Sequence, residues 1–172
     1  MTRAVLSLGS NVGDRFSHLR GAVAGFGNAV LAASPVYETA PWGGVEQDDF
    51  LNAVLLVEDA GTTAWGWLRR GQDLERAAGR VRGVRWGPRT LDVDVITVEG
   101  PDGPVVSDHP DLLLPHPGTP ERATVLRPWL DIAPDAVLPG SGPVAALLVA
   151  LGSDAEHGMR RRDDLVLVGA PS

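Results

Sequence analysis

Arg85-Trp86-Gly87-Pro88-Arg89-Thr90-Leu91-Asp92-Val93-Asp94, with Val95-Ile96 behind it, is the stretch on which the reading of this chain turns. If Leu91 to Ile96 is a strand, residues two apart share a face, so Asp92 and Asp94 point one way while Leu91, Val93 and Val95 point the other. Two carboxylates side by side on a sheet face need a cationic partner, and hard divalent cations such as Mg2+ prefer carboxylate oxygen. The flanking guanidiniums of Arg85 and Arg89 are suited to grip phosphate through paired N–H bonds. Together these residues point to a metal-nucleotide site. The bland alternative is a pair of solvated carboxylates on an edge strand.

Outward from that stretch, the chain alternates strand and helix signals. Ala4 to Leu8 reads as a buried strand that ends at Gly9-Ser10-Asn11. Asp14 then caps a helix of roughly a dozen residues, with Phe16, Leu19, Val23 and Phe26 at helical spacing. Val30 to Tyr37 and Leu51 to Val57 are strand candidates rich in Val and Leu. Glu38 to Asp49, with Pro41, Gly43 and Gly44, is too polar for the core and reads as a loop of functional length. Thr63 caps a second helix whose inner face carries Trp65, Leu68, Leu74 and Ala78 and which Gly79 ends. The order β-α-β-β-α-β predicts an α+β fold of ferredoxin-like type, a mainly antiparallel sheet with helices packed on one face. Beyond Gly100, Pro120 to Trp129 and Val144 to Leu151 read as short helices and Leu165 to Val168 as a final strand. With no internal repeat or low-complexity linker, residues 1–172 are read as a single domain whose C-terminal third is an extension covering the core.

Composition narrows the function classes. At 172 residues the chain is long enough for a sizeable core. A net charge of -7, from 22 acidic against 15 basic residues, opposes a general nucleic-acid binder. Every basic residue is arginine, so the phosphate-gripping Lys of a Walker A loop and the catalytic Lys of a protein kinase are both excluded. Without cysteine there is no disulfide, thiolate zinc site or Cys nucleophile. The N-terminal apolar run is too short for a signal peptide and no stretch approaches a membrane span, so a cytoplasmic location is expected.

Leu8-Gly9-Ser10-Asn11, Tyr37-Glu38-Thr39-Ala40-Pro41, Phe50-Leu51-Asn52-Ala53, Gly79-Arg80-Val81-Arg82, the stretch from Arg85 to Asp94, and Leu114-Pro115-His116 with Arg122 occur in this order. In that combination the chain closely resembles the 6-hydroxymethyl-7,8-dihydropterin pyrophosphokinase family, over about residues 5 to 135. The resemblance implies transfer of the pyrophosphoryl group of Mg-ATP to the hydroxymethyl of a reduced pterin, with release of AMP, in folate biosynthesis. It implies two Mg2+ ions held by Asp92 and Asp94, with Arg80, Arg82 and Arg89 assisting catalysis. For ATP it implies Gln72, Glu75, Arg82, Trp86, Arg89, Val95, His116 and Arg122. For the pterin it implies Thr39, Ala40, Trp42, Phe50, Asn52, Trp86 and Asp92, with Phe50 stacked on one ring face. ATP and pterin are then the small-molecule partners of a monomer, without nucleic acid or membrane.

The physical chemistry of the residues agrees with these roles. Phosphoryl-type transfer is mainly positioning plus charge stabilisation. The loop from Arg80 to Gly87 holds three arginines and two glycines, planar forks on a backbone able to close over polyphosphate. Asn52 offers both a donor and an acceptor to a pterin amide edge. His18 and His157 match nothing in the pattern and His109 sits in a polar loop, so none of the three is read as a metal ligand. Thr124 is a departure, because the family usually has a Phe two residues after the arginine matched by Arg122. Thr cannot provide that stacking area, and Trp42 is a candidate to compensate. Pro117 also departs, standing where some members have an aromatic.

Overall fold

The computed structural model describes residues 1–40, 48–79 and 90–168. Strand β1 (Thr2–Ser10) leads into α1 (Arg15–Phe26), then β2 (Val30–Ala33), β3 (Tyr37–Thr39) and β4 (Phe50–Asp59). Helix α2 (Ala64–Ala77) and β5 (Asp92–Gly100) complete the core. The remainder is β6 (Gly103–Pro104), the hairpin β7 (Ser107–His109) and β8 (Leu112–Leu114), α3 (Ala123–Ile132), β9 (Val137–Leu138), β10 (Gly142–Pro143), α4 (Val144–Ala150) and β11 (Arg160–Arg161). Among the described residues the main sheet runs β11-β3-β4-β1-β5-β6, with β2 also paired to β4, and every pair is antiparallel. Counting β2 and β3 as one broken strand, the core order is fourth-first-third-second, the ferredoxin-like arrangement. No helix among these residues is long and apolar enough to cross a membrane.

Both helix starts follow from side-chain chemistry. Asp14 accepts from the Ser17 N–H and Thr63 from the Gly66 N–H, each satisfying a donor that the first helical turn leaves orphaned. Gly79, at φ 76° after the C-cap residue Ala78, ends α2 in the left-handed region that glycine tolerates.

Alternation along the central strands divides the apolar residues into two cores. Ala4, Leu6 and Leu8 face α1 and α2 in a cluster with Leu19, Phe26, Trp67, Val93 and Val95. Val5, Val54 and Ile96 face the other way, into a cluster with Val125, Leu126, Trp129, Val144 and Leu148. The C-terminal cover therefore occupies the sheet face opposite α1 and α2, and it brings a core of its own.

Three expectations are corrected and one is refined. The strand read over Val30 to Tyr37 is broken at Ser34-Pro35, where Ser34 Oγ accepts the Val54 N–H at 2.8 Å in place of a ladder carbonyl. Proline cannot donate to such a ladder. Glu38 and Thr39, read as the start of a polar loop, are buried in β3. Trp65, Leu68, Leu74 and Ala78, read as the inner face of α2, do pack on the core but only half-buried, and the fully buried stripe is Trp67, Gly71 and Glu75. The last strand is Arg160–Arg161 rather than Leu165 to Val168, because the three-residue β3 offers Glu38 and Tyr37 as partners and a turn at Arg162 follows.

Gly71 decides how close α2 lies to β5. A Cβ there would fall 2.9 Å from Val93 Cγ1 and 3.2 Å from Val93 Cβ, a contact with a stiff, buried, β-branched side chain. Gly71→Ala gains about 1 kcal/mol of helix propensity, yet overpacking of this kind costs about 1–3 kcal/mol. The expected net result is a destabilised protein, read as a lower urea midpoint at unchanged slope; a midpoint equal to or above wild type would contradict the close approach.

Candidate active site

Asp92 and Asp94 stand two apart on β5, half-buried, while Leu91, Val93 and Val95 are buried on the far side, as the strand reading predicts. They line a pocket of about 570 Å³ together with Gln72 and Glu75 of α2 and with Trp65, Arg69 and Asp111. Arg122 joins the group from the start of α3, its Nη1 lying 3.8 Å from Asp94 Oδ2.

Beyond β1, the other edge of β5 meets β6 only at Glu99 and Gly100. Other groups bond to that edge around the two aspartates. Glu75 Oε2 accepts the Val93 N–H at 3.0 Å, and the His116 N–H donates to the Ile96 carbonyl at 2.8 Å. Glu75, with only 4% of its surface exposed, is thus a buried strut as well as a pocket residue. Val95 buries its side chain in the core, so only its backbone is left on the β5 edge.

His116 follows the cis bond between Leu114 and Pro115. Its Nδ1 donates to the Pro117 carbonyl at 2.9 Å, and Thr119 Oγ1 donates to the His116 carbonyl at 2.7 Å. Burial pushes the imidazole below its ordinary range, and the Arg122 charge adds to this, against the Pro117 bond and the Asp92 charge. The ring is therefore neutral near pH 7, with Nε2 as its acceptor.

On the same sheet face lies the second half of the site. Tyr37, Asn52, Gly9 and Asp92 form one row across four strands, because Tyr37 pairs with Asn52, Asn52 with Gly9, and Gly9 with Asp92. Asn52 Nδ2 donates to Thr39 Oγ1 at 2.6 Å, and Thr39 pairs with Phe50. Gly9, read from sequence as the end of a strand, lies within β1 and adds no side chain of its own between Asn52 and Asp92. With strands about 4.8 Å apart, the backbones of Asn52 and Asp92 are roughly 10 Å apart, and the Asn52 amide and Phe50 ring lean over the glycine between them, 3.4 and 3.6 Å from where a Cβ would stand. The Leu8-Gly9-Ser10-Asn11 motif was the sequence signal for this residue, although its position in the row was not legible. Arg69, Asp111 and Trp65 were missed, and no local pattern marks them.

The rim beside Thr39 is held by a charge cluster. Glu38, with 7% of its side chain exposed, accepts from Arg15 Nη1 at 2.7 Å and from Arg160, and Arg162 Nη1 lies 3.5 Å away. Arg15 also donates to the Asp49 carbonyl, and Asn11 Nδ2 to the Asp48 carbonyl, both at 3.0 Å. Tyr37 Oη donates to Asp131 Oδ2 at 2.5 Å, linking β3 to α3; burial and this bond push the phenol up to about 12. Trp42, Arg80, Arg82, Trp86 and Arg89 lie outside the described residues.

The family described as 7,8-dihydro-6-hydroxymethylpterin-pyrophosphokinase (HPPK) matches residues 5–134. A 2-amino-4-hydroxy-6-hydroxymethyldihydropteridine pyrophosphokinase of Mycobacterium tuberculosis (strain ATCC 25618 / H37Rv) is 52% identical over 159 residues, 88% of this chain and 85% of the relative. The protein of the same description from Mycobacterium leprae is 48% identical over 169 residues, 93% of this chain and 88% of the relative. Among solved structures, wild-type HPPK-DHPS of Plasmodium falciparum superposes with a TM-score of 0.67 at 14% identity, covering 94% of this chain. This chain spans 47% of that solved chain, and the likeness concerns the fold alone.

Burial pushes the Glu38 carboxyl up, but the Arg15 hydrogen bond and the charges of Arg15, Arg160 and Arg162 outweigh it and hold the group below its ordinary value of 4.5. A carboxylate whose folded value is depressed adds stability above its unfolded value, and that stability is lost as pH falls through the folded value. Glu38→Gln is therefore expected to be less stable than wild type near neutral pH, with the gap narrowing well below pH 4.5. Urea melts at both pH values check this, and a gap independent of pH would remove Glu38's charge from the account.

Proposed function

Because the chain belongs to the 7,8-dihydro-6-hydroxymethylpterin-pyrophosphokinase family, we propose that the row from Asn52 across Gly9 to Asp92 is where its two substrates meet. The chain is a transferase that moves a pyrophosphoryl group from ATP to hydroxymethyldihydropterin, a step in folate biosynthesis. The observation that carries the site reading is the row across Gly9, a position without a side chain, with a hydrogen-bonding amide on one side and paired carboxylates on the other. A flat heterocycle held at Asn52 and Phe50 would extend its hydroxymethyl toward Asp92 across that gap.

The donor set fits hard dications. Asp92 and Asp94 supply only oxygen, and no third acidic or histidine side chain among the described residues joins them in a metal-ligand cluster. Further positions would fall to phosphate oxygens and water, as Mg2+ prefers. We assign two Mg2+ ions to Asp92 and Asp94; when bound they neutralise phosphate charge and lower the effective pKa of the attacking hydroxyl.

The protein's own residues position and stabilise. Asn52, with Thr39 and Ala40 beside it, would bind the pterin edge, and Phe50 one ring face. Gln72, Glu75, His116 and the Val95 backbone would hold the nucleotide, and Arg122 the phosphates. Arg80, Arg82, Trp86, Arg89 and Trp42 are proposed for the same roles on their motif positions alone. The pterin hydroxyl oxygen would attack the β-phosphorus in line, its proton passing to water. The bond from that phosphorus to the oxygen bridging to the α-phosphorus breaks, and AMP leaves. No covalent enzyme intermediate is required. The chain is taken as a single-domain cytoplasmic monomer with no nucleic-acid or membrane partner.

A coupled assay with Mg-ATP and 6-hydroxymethyl-7,8-dihydropterin should release AMP, and only when the pterin is present; ADP as product would refute pyrophosphoryl transfer. Asp92→Asn should lose at least about a hundredfold in turnover, the scale of removing a preorganised electrostatic group, with the fold intact by circular dichroism. Normal turnover in that variant would sink the assignment.

Gly9→Ala tests the row. Its Cβ would sit 3.4 Å from Asn52 Oδ1, an ordinary contact, so the fold should tolerate it. The expected outcome is a pterin KM raised by roughly tenfold at unchanged melting temperature, and an unchanged KM would count against a pterin lying across Gly9.

A further inference from the structure

We infer that Met159, carried by the C-terminal cover, forms the apolar wall of the pterin site on the side where Thr124 stands, and so helps to determine substrate specificity. The inference rests on the pterin site proposed above. Residue 159 lies outside the family match, which ends at residue 134.

A second pocket, of about 300 Å³, opens beside the rim of the first site. Thr39 and Ala40 form one wall, Thr124 of α3 another, and Leu151, Ala155 and Met159 the third. Thr39 is common to both sites, since its hydroxyl accepts from Asn52 and its backbone pairs with Phe50. A planar heterocycle needs apolar cover on both faces. Phe50 can supply one face, but Thr39, Ala40 and Thr124 are too small to supply the other. Leu151 and Met159 are the large apolar side chains lining this pocket.

Strand register favours Met159 over Leu151. Arg160 pairs with Glu38 and Arg161 with Tyr37, so Met159 occupies the position that continues the ladder to Thr39. Opposite residues of an antiparallel pair share a face. The backbone is pinned there, because Arg160 binds the buried Glu38 carboxylate and the Arg162 N–H donates to the Val36 carbonyl at 2.7 Å. The side chain is half-buried against the cluster around Trp129, which fixes its stem. An unbranched, polarizable thioether adapts to an aromatic ring edge or face.

The sequence makes a direct test possible, since the chain has only two methionines, Met1 and Met159. Protein labelled with 13C at the methionine methyls should give two resonances. Titration with 6-hydroxymethyl-7,8-dihydropterin, in the presence of Mg2+ and a non-hydrolysable ATP analogue, should shift the Met159 methyl and produce cross-relaxation between it and pterin protons. Met1, 66% exposed, should not move. This measurement uses the unmodified protein, so it stands even if a substitution at 159 impairs folding.

Met159→Ala should weaken pterin binding by roughly tenfold and leave ATP-analogue binding unchanged. Met159→Leu should bind nearly as wild type, and adding Thr124→Phe to Met159→Ala should recover the loss. Wild-type pterin affinity in Met159→Ala, or a Met159 methyl without cross-relaxation to bound pterin, overturns the inference. Asn52→Ala separates the two readings. If Asn52→Ala loses pterin affinity and Met159→Ala does not, the site stands and the wall is elsewhere. If neither loses affinity, the proposed pterin site falls as well.

Discussion

Among the described residues, one edge of β5, from Asp92 to Ile96, is met by side chains and a loop rather than by another strand, and the proposed site depends on how that edge is satisfied. Backbone N–H and C=O groups at a half-buried edge must find partners or cost about 1–3 kcal/mol each. Here the Val93 N–H finds the Glu75 carboxylate and the Ile96 carbonyl finds the His116 N–H. These bonds hold α2 and the His116 loop against the strand on either side of Asp94. The residues proposed to hold the nucleotide thus also hold the strand that carries the proposed metal ligands. Gly71 makes the first bond possible by letting α2 approach Val93 one turn before Glu75. A binding residue with a structural duty is costly to lose twice over, which separates Glu75 from the half-buried Gln72 beside it.

Much of this was legible in the sequence because it depends on local periodicity and local chemistry. Period-two alternation separated Asp92 and Asp94 from Leu91, Val93 and Val95, and Asp14 and Thr63 marked both core helices by the hydrogen bonds they accept. What failed depended on partners far along the chain. Glu38 looks like a loop residue until Arg15, Arg160 and Arg162 surround it. Glu75 looks like a surface helix residue until Val93 donates to it. Ser34 and Pro35 interrupt a run that is apolar enough to read as one strand, and only the Val54 N–H explains why the break is tolerated. Gly9 was quoted within a motif, but nothing local reveals that it lies between Asn52 and Asp92.

The two sheet faces divide the labour. Helices α1 and α2 pack on one face together with Leu112 and Leu114 of β8, and this cluster contains the largest fully buried side chain, Trp67. On the other face α3 and α4 pack over Val5, Val54 and Ile96, and α3 reaches β3 through the Tyr37–Asp131 bond. The same face carries Phe50, Asn52, Gly9, Asp92 and Asp94, the side chains among them half-buried. The proposed site therefore shares its sheet face with the C-terminal cover and lies beside it. The ion pairs near that border differ in weight. Arg161 with Asp163 and Arg162 with Asp164 are well exposed on the carboxylate side and contribute little. The buried Glu38 is different, since removing a partner from such a charge typically costs about 3–5 kcal/mol.

The Glu38 cluster also bears on how the chain acquires its shape during synthesis. Arg160 is 122 residues from Glu38 along the chain. A ribosome emits residues in order, so for most of translation the β3 carboxylate is without Arg160 and Arg162 and the edge of β3 lacks its strand partner. Contacts of such long sequence separation bear the largest loop-closure cost and form late. The rim proposed to hold the pterin is thus the last part of the sheet to close, and a nascent chain carries an open strand edge there until residues 160–162 arrive.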